Sequence, residues 1–414
     1  MNKLFQVCLC ALLGGLSACA GFHPITNSTP VPSEIFEETP VRQLQPTTER
    51  PYNTTATAPQ LTDTAEEQPV LAITRQPAPV KPGSLSSLPA ITIENAASLT
   101  QLAEIRFGPW DLVLSVAWSP DGGILAVAAG NSIFLYDASE LKQFWSFEIG
   151  ALTQSLAFSP DGLWLAAGSR DGYVRIWPVE SIATSGQSQP SLAIQAHHKG
   201  VNSVSFSPIT GPLGVILASG GNDAVARFWS LGNGDELGYM IGGTFAVPSI
   251  AFLPDGSQLA VTNGDRIRLR QVGSERIVGT FASDEPLYSL AYSPDGSLLA
   301  VGGSDNLIRL WMPDQAFRTG QPEYPEPVIL RGHSGRLGTY RSLIWQVIFS
   351  ASGEILASAG GDDSVRLWSV QNGDQLISLP AHPGGAACIA FRPDNTALAS
   401  GGLDGVLRIW GVSR

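Results

Sequence analysis

A tryptophan that stands six residues after an aspartate recurs along the C-terminal part of the chain. Five copies keep this spacing: Asp171 to Trp177, Asp223 to Trp229, Asp305 to Trp311, Asp362 to Trp368 and Asp404 to Trp410. Two further copies are one residue shorter and lack the tryptophan: Asn131 to Tyr136 and Asp265 to Arg270. A pattern that returns about every 40 residues indicates neighbouring copies of one small unit, none of which can bury its apolar face alone.

The first half of each copy is a short alternating apolar segment that runs into a turn. Residues 116–118 and 290–292 are each followed by Ser-Pro-Asp-Gly, and the segment occurs seven times in all. Proline fixes φ and glycine accepts a positive φ, so this turn ends one strand and leads into the next. The sequence therefore predicts an all-β chain of seven repeats.

This pattern resembles the WD40 repeat, and the resemblance covers residues 101–414. It implies a seven-bladed β-propeller in which four-stranded sheets stand radially and cover one another's faces. In this family the repeat is offset from the blade, so the last blade takes its outermost strand from the start of the domain. By that resemblance residues 102–107 pair with the strand that ends at Trp410, forming a clasp.

The resemblance also implies a hydrogen-bonded set of His, Ser, Asp and Trp in three repeats. Those sets are His197, Ser219, Asp223, Trp229; His333, Ser358, Asp362, Trp368; and His382, Ser400, Asp404, Trp410. Ser, His and Asp together could be taken for a hydrolase triad. A set that recurs at equivalent positions builds a fold, whereas an active site occurs once, so we expect structural sets, no catalytic residues and no enzyme.

The N-terminus resembles the signal peptide of bacterial lipoproteins. Lys3 precedes an apolar run of residues 4–16, and Leu16-Ser17-Ala18-Cys19 matches the lipobox. That resemblance implies cleavage after residue 18 and acylation of Cys19, which would hold the protein on a bacterial membrane, outside the cytoplasm, at the periplasmic side or the cell surface. An ordinary signal peptide that contains a cysteine is the alternative.

Residues 19–98 are rich in Pro, Thr, Ser, Gln and Glu and show no apolar period. Such a composition cannot bury enough surface to fold, so we expect a disordered tether between the lipidated Cys19 and a propeller at 99–414. A binding motif within the tether is the alternative, because Pro-rich segments serve as ligands.

The charge, histidine, glycine and cysteine patterns argue against nucleic-acid binding, metal binding, phosphate binding and thiol chemistry. The formal net charge is -12, which argues against a nucleic-acid partner. His197-His198 is the only adjacent histidine pair, and no glycine-rich loop is followed by a helix. Cys388 lies in an alternating apolar segment and is expected to be an inert core residue. We therefore expect no metal and no cofactor.

The resemblance places partner contacts on one face of the propeller, in loops that enter the inner strands and in the turns that hold the repeated aspartate. The positions expected to bind a protein or peptide are Leu114, Arg170, Asn202, Tyr288, Trp345, Arg341 and Leu403. Tyr288 and Trp345 could instead only plug the channel. The favoured function is a noncatalytic interaction scaffold, and the alternative is an extracytoplasmic enzyme or ligand sensor with its site at the channel mouth.

Overall fold

The computed structural model describes residues 85–413 except 109, 186–187, 210–214, 242 and 317–324. Within them the chain forms seven four-stranded antiparallel sheets, which confirms the seven-bladed propeller. The signal peptide, Cys19 and residues 19–84 of the expected tether lie outside the described residues. No helix in the described part is long and apolar enough to cross a membrane.

The blades follow one another along the chain, each from its inner to its outer strand. Blade 1 holds β2 (Val113–Trp118), β3 (Ile124–Ala129), β4 (Ser132–Asp137) and β5 (Lys142–Glu148); blade 2 holds β6 (Thr153–Phe158), β7 (Trp164–Ser169), β8 (Tyr173–Pro178) and β9 (Leu192–Gln195). Blade 3 holds β10 (Val201–Phe206), β11 (Ile216–Gly221), β12 (Val225–Ser230) and β13 (Glu236–Ile241); blade 4 holds β14 (Ile250–Phe252), β15 (Gln258–Asn263), β16 (Arg266–Gln271) and β17 (Ile277–Ala282).

Blade 5 holds β18 (Leu287–Tyr292), β19 (Leu299–Gly303), β20 (Leu307–Trp311) and β21 (Val328–Arg331); blade 6 holds β22 (Ile344–Phe349), β23 (Ile355–Gly360), β24 (Ser364–Ser369) and β25 (Gln375–Pro380). Blade 7 holds β26 (Ala386–Phe391), β27 (Leu398–Gly402), β28 (Val406–Val412) and, as its outermost strand, β1 (Leu99–Arg106). One α-helix, α1 (Val179–Ser185), follows β8.

The repeated tryptophans lie in the third strand of their blades and pack toward the preceding blade. Trp177 meets Phe147 of blade 1 at a ring-centroid distance of 4.9 Å, and Trp311 meets Phe281 of blade 4 at 5.4 Å. Both tryptophans are buried. Because a large aromatic ring covers much apolar area, each of these residues joins two sheets rather than stabilising its own sheet alone.

Side chains on the inner strands join each blade to the next by hydrogen bonds. Six backbone N–H groups donate to a side-chain oxygen of the preceding blade: Leu156 to Ser115 (2.9 Å), Val204 to Ser155 (3.1 Å), Ile250 to Ser203 (3.3 Å), Leu290 to Ser249 (3.1 Å), Val347 to Ser289 (2.9 Å) and Ile389 to Gln346 (2.7 Å). At the seventh junction Cys388 Sγ donates to Val113 O at 3.5 Å. Burial raises the pKa of the Cys388 thiol, which keeps it a donor.

The ends of the domain meet in blade 7, which confirms the predicted clasp. β1 pairs antiparallel with β28, from Leu99 opposite Val412 to Arg106 opposite Val406. Glu104 of β1 also lies 3.8 Å from the guanidinium of Arg408 on β28. An N-terminal strand therefore completes the sheet to which the last residues of the chain belong.

Residues 85–98 pack on the propeller, so the expected tether does not extend through them. We call this segment the strap. Leu85 is buried with residues of blades 1 and 7, whereas Ile91 and Ala96 are buried with residues of blades 6 and 7. The Ile91 N–H donates to Asn395 O at 2.8 Å. Because its few apolar residues follow no strand or helix period, the strap could not be separated by composition from the polar segment before it.

The three expected four-residue sets are hydrogen-bonded as continuous chains. In blade 3, Trp229 Nε1 donates to Ser219 Oγ (2.9 Å), His197 Nε2 lies 2.8 Å from the same oxygen, and His197 Nδ1 lies 2.8 Å from Asp223 Oδ1. The corresponding distances are 2.9, 2.7 and 2.8 Å for Trp368, Ser358, His333 and Asp362, and 2.8, 2.8 and 2.9 Å for Trp410, Ser400, His382 and Asp404.

Burial lowers the pKa of His197, and the hydrogen bond that its Nδ1–H donates to Asp223 only partly opposes that shift. The imidazole is then neutral near pH 7, with its Nδ1–H donating to the carboxylate and its Nε2 accepting from the serine hydroxyl. Burial also opposes ionisation of Asp223, but hydrogen bonds from His197 and Arg227 outweigh it and lower the pKa of the carboxyl. The pKa of His333 and of His382 is lowered for the same reason, first by burial.

The clasp and the strap generate a prediction about truncation. A chain that begins at residue 85 should unfold as the complete chain does, because every described contact is kept. A chain that begins at residue 99 loses the burial of Leu85 and Ile91 and should be less stable by roughly 3–6 kcal/mol. A chain that begins at residue 107 also loses β1 and should show no cooperative transition. Calorimetric melts compare the three, and a cooperative melt of the shortest would contradict this account of the clasp.

The buried histidines generate a second prediction. Their native pKa values lie below the unfolded value of about 6.5, so the unfolded state binds more protons. Stability should therefore be complete above about pH 6.5 and decrease as the pH falls, by at most about 4 kcal/mol per pH unit for three histidines. His197→Asn should remove about a third of that slope, measured by urea unfolding, whereas the exposed neighbour His198→Asn should leave it unchanged. An equal slope in both variants would refute the assignment.

Candidate functional site

The candidate site lies on what we call the top face, where the chain enters each inner strand. Strand direction alternates within a blade, so the turns between second and third strands lie at the same end of the propeller. Those turns hold Asp223, Asp362 and Asp404. The Ser-Pro-Asp-Gly turns lie at the opposite end. The predicted partner contacts are therefore carried by one end of a rigid scaffold, which is where binding loops are usually placed.

One residue per blade is turned toward the central channel by a shift in strand register. In six blades the inner strand carries one extra residue relative to its neighbour, which is the arrangement of a β-bulge and re-aims the side chain. Those residues are Leu114, Gln154, Asn202, Tyr288, Trp345 and Ala387, and Pro248 is the equivalent in blade 4. We call these seven the channel rim.

The channel is a cavity of about 440 Å³ lined by the rim and by the inner-strand residues below it. Tyr288 and Trp345 lie edge to face on its wall, with ring centroids 6.4 Å apart. Trp345 Nε1 and Gln154 Oε1 are buried and make no hydrogen bond to any residue that the structure describes. Tyr288 and Trp345 therefore line an open cavity, and three of its lining residues, Gln154, Tyr292 and Trp345, each hold one buried polar atom that the described residues do not satisfy.

An apolar cluster covers the rim where blades 6, 7 and 1 meet. Leu112 and Leu403 are its buried members, and Leu114, Tyr340 and Ala387 pack against them. Leu403 is only 5% exposed, so this predicted contact residue supports the surface from below and offers a partner little area. We call these five residues the top-face cluster.

The loop over residues 334–343 is held onto the top face by polar contacts. Asn306 of blade 5 accepts from the Gly335 N–H and donates to its carbonyl, both at 2.8 Å. Arg341 donates to Asp363 at 2.8 Å and lies 5.8 Å from the centre of the Tyr340 ring. The hydrogen bond to Asp363 raises the pKa of Arg341, so its charge is fixed beside the top-face cluster.

The remaining two predicted residues lie on another sector of the ring. Asn202 donates to Asn222 Oδ1 at 2.8 Å and to Val247 O at 3.2 Å, so its amide already serves the fold. Arg170 follows β7 in the turn of blade 2. The structure thus brings Leu114, Tyr288, Trp345, Arg341 and Leu403 together on blades 5, 6, 7 and 1, and leaves Arg170 and Asn202 on blades 2 and 3.

Sequence reasoning missed Trp110, the most exposed large apolar side chain of the described residues. It is 75% exposed in the loop between β1 and β2, and its carbonyl accepts from the Leu112 N–H at 3.1 Å. A signal for it was present, because Trp110 follows Gly-Pro and has no aspartate six residues before it.

The recurring serines do not have the access that a nucleophile needs. Ser219, Ser358 and Ser400 are fully buried, and each accepts a hydrogen bond from its tryptophan. A nucleophile must reach substrate with its oxygen beside a base. Among the described residues there is also no group of three or more His, Cys, Asp or Glu side chains placed to hold a metal ion.

The chain is similar to several curated proteins of eukaryotes over most of the propeller. It is 27% identical to Telomerase protein component 1 of Rattus norvegicus, over 72% of this chain and 11% of that protein. It is 24% identical to the WD repeat-containing protein 26 homolog of Arabidopsis thaliana (63% of this chain, 48% of that protein). It is 26% identical to the WD repeat-containing protein slp1 of Schizosaccharomyces pombe, over 68% of this chain and 54% of that protein. The chain thus spans between about a tenth and about half of the length of these relatives.

The family model described as WD domain, G-beta repeat matches the chain six times. The matched residues are 104–137, 152–178, 188–230, 275–312, 328–369 and 373–411. Most of blade 4, in which Arg270 replaces the tryptophan, lies between the third and fourth matches. Together the matches cover more than half of the chain, and most of them run from the outer strand of one blade through the first three strands of the next, which is the offset expected for this repeat. The chain belongs to the WD40 repeat family.

Proposed function

We propose that this protein is a noncatalytic interaction scaffold that binds a protein or peptide partner through its top face. The observation that carries the proposal is the exposed Trp110, whose carbonyl accepts from the N–H of Leu112 in the top-face cluster, together with Arg341, which is paired with Asp363 beside Tyr340 of that cluster. Tryptophan and arginine around an apolar centre are the residues that dominate binding energy at protein interfaces. The relatives support this class, since two of them are named only as WD repeat-containing proteins.

A ligand sensor at the channel mouth is the second candidate. The unsatisfied Trp345 Nε1 and Gln154 Oε1 favour it, because buried polar atoms usually have a partner. Both atoms are buried and offer a ligand in the channel almost no accessible surface, whereas the exposed side chain of Trp110 offers a partner a large apolar area. We therefore place the partner on the top face.

We further propose that Cys19 carries the lipid that holds the scaffold on a bacterial membrane, outside the cytoplasm. The support is the Leu16-Ser17-Ala18-Cys19 motif after an apolar run. The strap contacts Asn395 in the turn after β26, at the end opposite the top face.

The top-face proposal predicts the effect of Trp110→Ala. Loss of a hot-spot tryptophan should weaken partner binding by about 2 kcal/mol, roughly thirtyfold in Kd. The melt should not change, because the side chain is 75% exposed. Partners are first captured by photocrosslinking through a residue placed at position 337, which is 65% exposed in the loop on the top face, and their affinity for the purified variants is then measured.

The matched control is Leu163→Ala, since Leu163 is 60% exposed in the turn after Gly162, at the opposite end. It should bind as the unchanged protein does. A combined Tyr288→Ala, Trp345→Ala and Arg341→Ala variant extends the test to the rim. If a folded triple variant and Trp110→Ala both keep full affinity, the top face is not the binding surface.

The anchoring proposal predicts that Cys19→Ala abolishes acylation and releases the protein from the membrane. Incorporation of a labelled fatty acid and fractionation of the cells measure the two effects separately. Cys388→Ala is the matched control, because that thiol is buried in the propeller and should affect neither. Labelling that persists in Cys19→Ala would contradict the proposal.

A further inference from the structure

Blade 4 places an arginine where five other blades place a tryptophan. Arg270 lies opposite Leu259 on the neighbouring strand, as Trp229 lies opposite Leu217 in blade 3. The serine of the four-residue set is also absent, because Val261 takes its position. The guanidinium therefore occupies a site that elsewhere holds an indole, between the outer parts of blades 3 and 4.

This guanidinium is buried and forms no ion pair with a described carboxylate, although the more distant charge of Glu275 partly opposes the effect of burial, which lowers the pKa of Arg270. Arg270 is 5% exposed, its Nε donates to Ser274 O at 2.7 Å, and its Nη1 donates to Tyr239 O of blade 3. The group also lies 5.1 Å from the centre of the Phe228 ring. No ion pair within 4.0 Å joins it to any residue that the structure describes. A buried charge is costly unless it is compensated, and only part of its five-donor capacity is used.

The guanidinium faces a pocket of about 130 Å³ between the two blades. Phe228, Leu237 and Val272 give it apolar walls. Gly238 leaves the space beside Nη2 free, since a Cβ at that position would lie 3.6 Å from Nη2. A site with apolar walls and one charged group at its end is built to orient a small ligand.

We propose that this pocket binds a carboxylate carried on a short apolar group, as found at the end of a peptide chain or on an acidic side chain. Its negative charge compensates the buried guanidinium. The planar group accepts two parallel hydrogen bonds in a geometry that arginine favours. The volume is comparable to that of cavities that hold one benzene-sized molecule, about 150 Å³, so one residue of a peptide fits.

Glu275 lies exposed at the rim of the pocket and is the natural competitor for this ligand. Its carboxylate is not within 4.0 Å of Arg270, so it does not occupy the position that we assign to the ligand. A ligand carboxylate must nevertheless approach against its charge. Removing that charge should therefore strengthen binding, which a purely structural role of Arg270 does not predict.

The test is a titration of the purified chain, followed by the side-chain Nε–Hε resonance of Arg270. Three probes are compared: N-acetyl-leucine, which presents a terminal carboxylate; N-acetyl-glutamate α-amide, which presents a side-chain carboxylate; and N-acetyl-leucine amide, which presents neither. We expect a saturable shift with one or both carboxylates and none with the amide. The probe that binds more tightly identifies the source of the carboxylate.

Two variants complete the test. Glu275→Gln should lower the midpoint for the carboxylate probes about threefold, because a like charge is removed from the rim. Arg270→Gln should abolish binding measured by calorimetry, whereas Arg266→Gln, at the exposed start of the same strand, should not.

If Arg270→Gln does not fold, the Glu275→Gln result decides. No saturable response, an equal response to the amide or an unchanged midpoint in Glu275→Gln overturns the proposal. The top-face proposal is independent of all of these outcomes.

Discussion

The propeller depends on hydrogen bonds that pass from blade to blade around its inner strands. An inner strand has one edge without a partner strand, and unpaired edge groups must be satisfied in some other way. Here an inner-strand N–H of most blades donates to a serine or glutamine side chain of the preceding blade, as Leu156 does to Ser115 and Ile389 to Gln346. Each of these hydrogen bonds forms only when the next blade lies at the correct angle. The geometry that satisfies the inner edges therefore also determines how many blades close the ring.

The same arrangement produces the surface on which function is proposed. The linking side chain follows directly after the extra residue of the bulge, as Ser115 follows Leu114 and Gln346 follows Trp345. The register shift that directs Ser115 or Gln346 toward the next blade also turns the residue before it, Leu114 or Trp345, toward the channel. The residue at a rim position can therefore differ from blade to blade, because the residue after it, and not the rim residue, makes the hydrogen bond between blades. Leucine, glutamine, asparagine, tyrosine, tryptophan and alanine all occur there.

The sequence predicted those features of the fold that repeat, and it missed those that occur once. The Asp-to-Trp spacing and the Ser-Pro-Asp-Gly turns predicted the blades, and the family resemblance predicted the clasp. The serines that link the blades were also visible, since Ser115, Ser155 and Ser203 occupy equivalent positions, but their partners lie on another blade. The strap was missed because Leu85 and Ile91 form no period, and Trp110 because its only signal is its place after Gly-Pro, outside the repeated position. Contact positions taken from the resemblance all lie at one end of the propeller, and their role in binding stays a prediction, whereas the burial of Leu403 follows only from packing between blades.

Blade 4 shows what the redundancy of such a ring permits. Three complete four-residue sets, the tryptophans of other blades and the clasp hold the ring, so one blade can lose its serine and its tryptophan without opening it. The replacement is a charged side chain, although an apolar one would cost less to bury. Arg270 donates one hydrogen bond within blade 4, to Ser274, and one to Tyr239 of blade 3, and these bonds explain in part why an arginine stands there. The space beside Nη2 follows from the backbone of Gly238, whose φ of +150° disfavours any side chain there. A ligand is favoured over a purely structural contact by the charge itself, because the guanidinium is buried and the described residues use only part of its donor capacity.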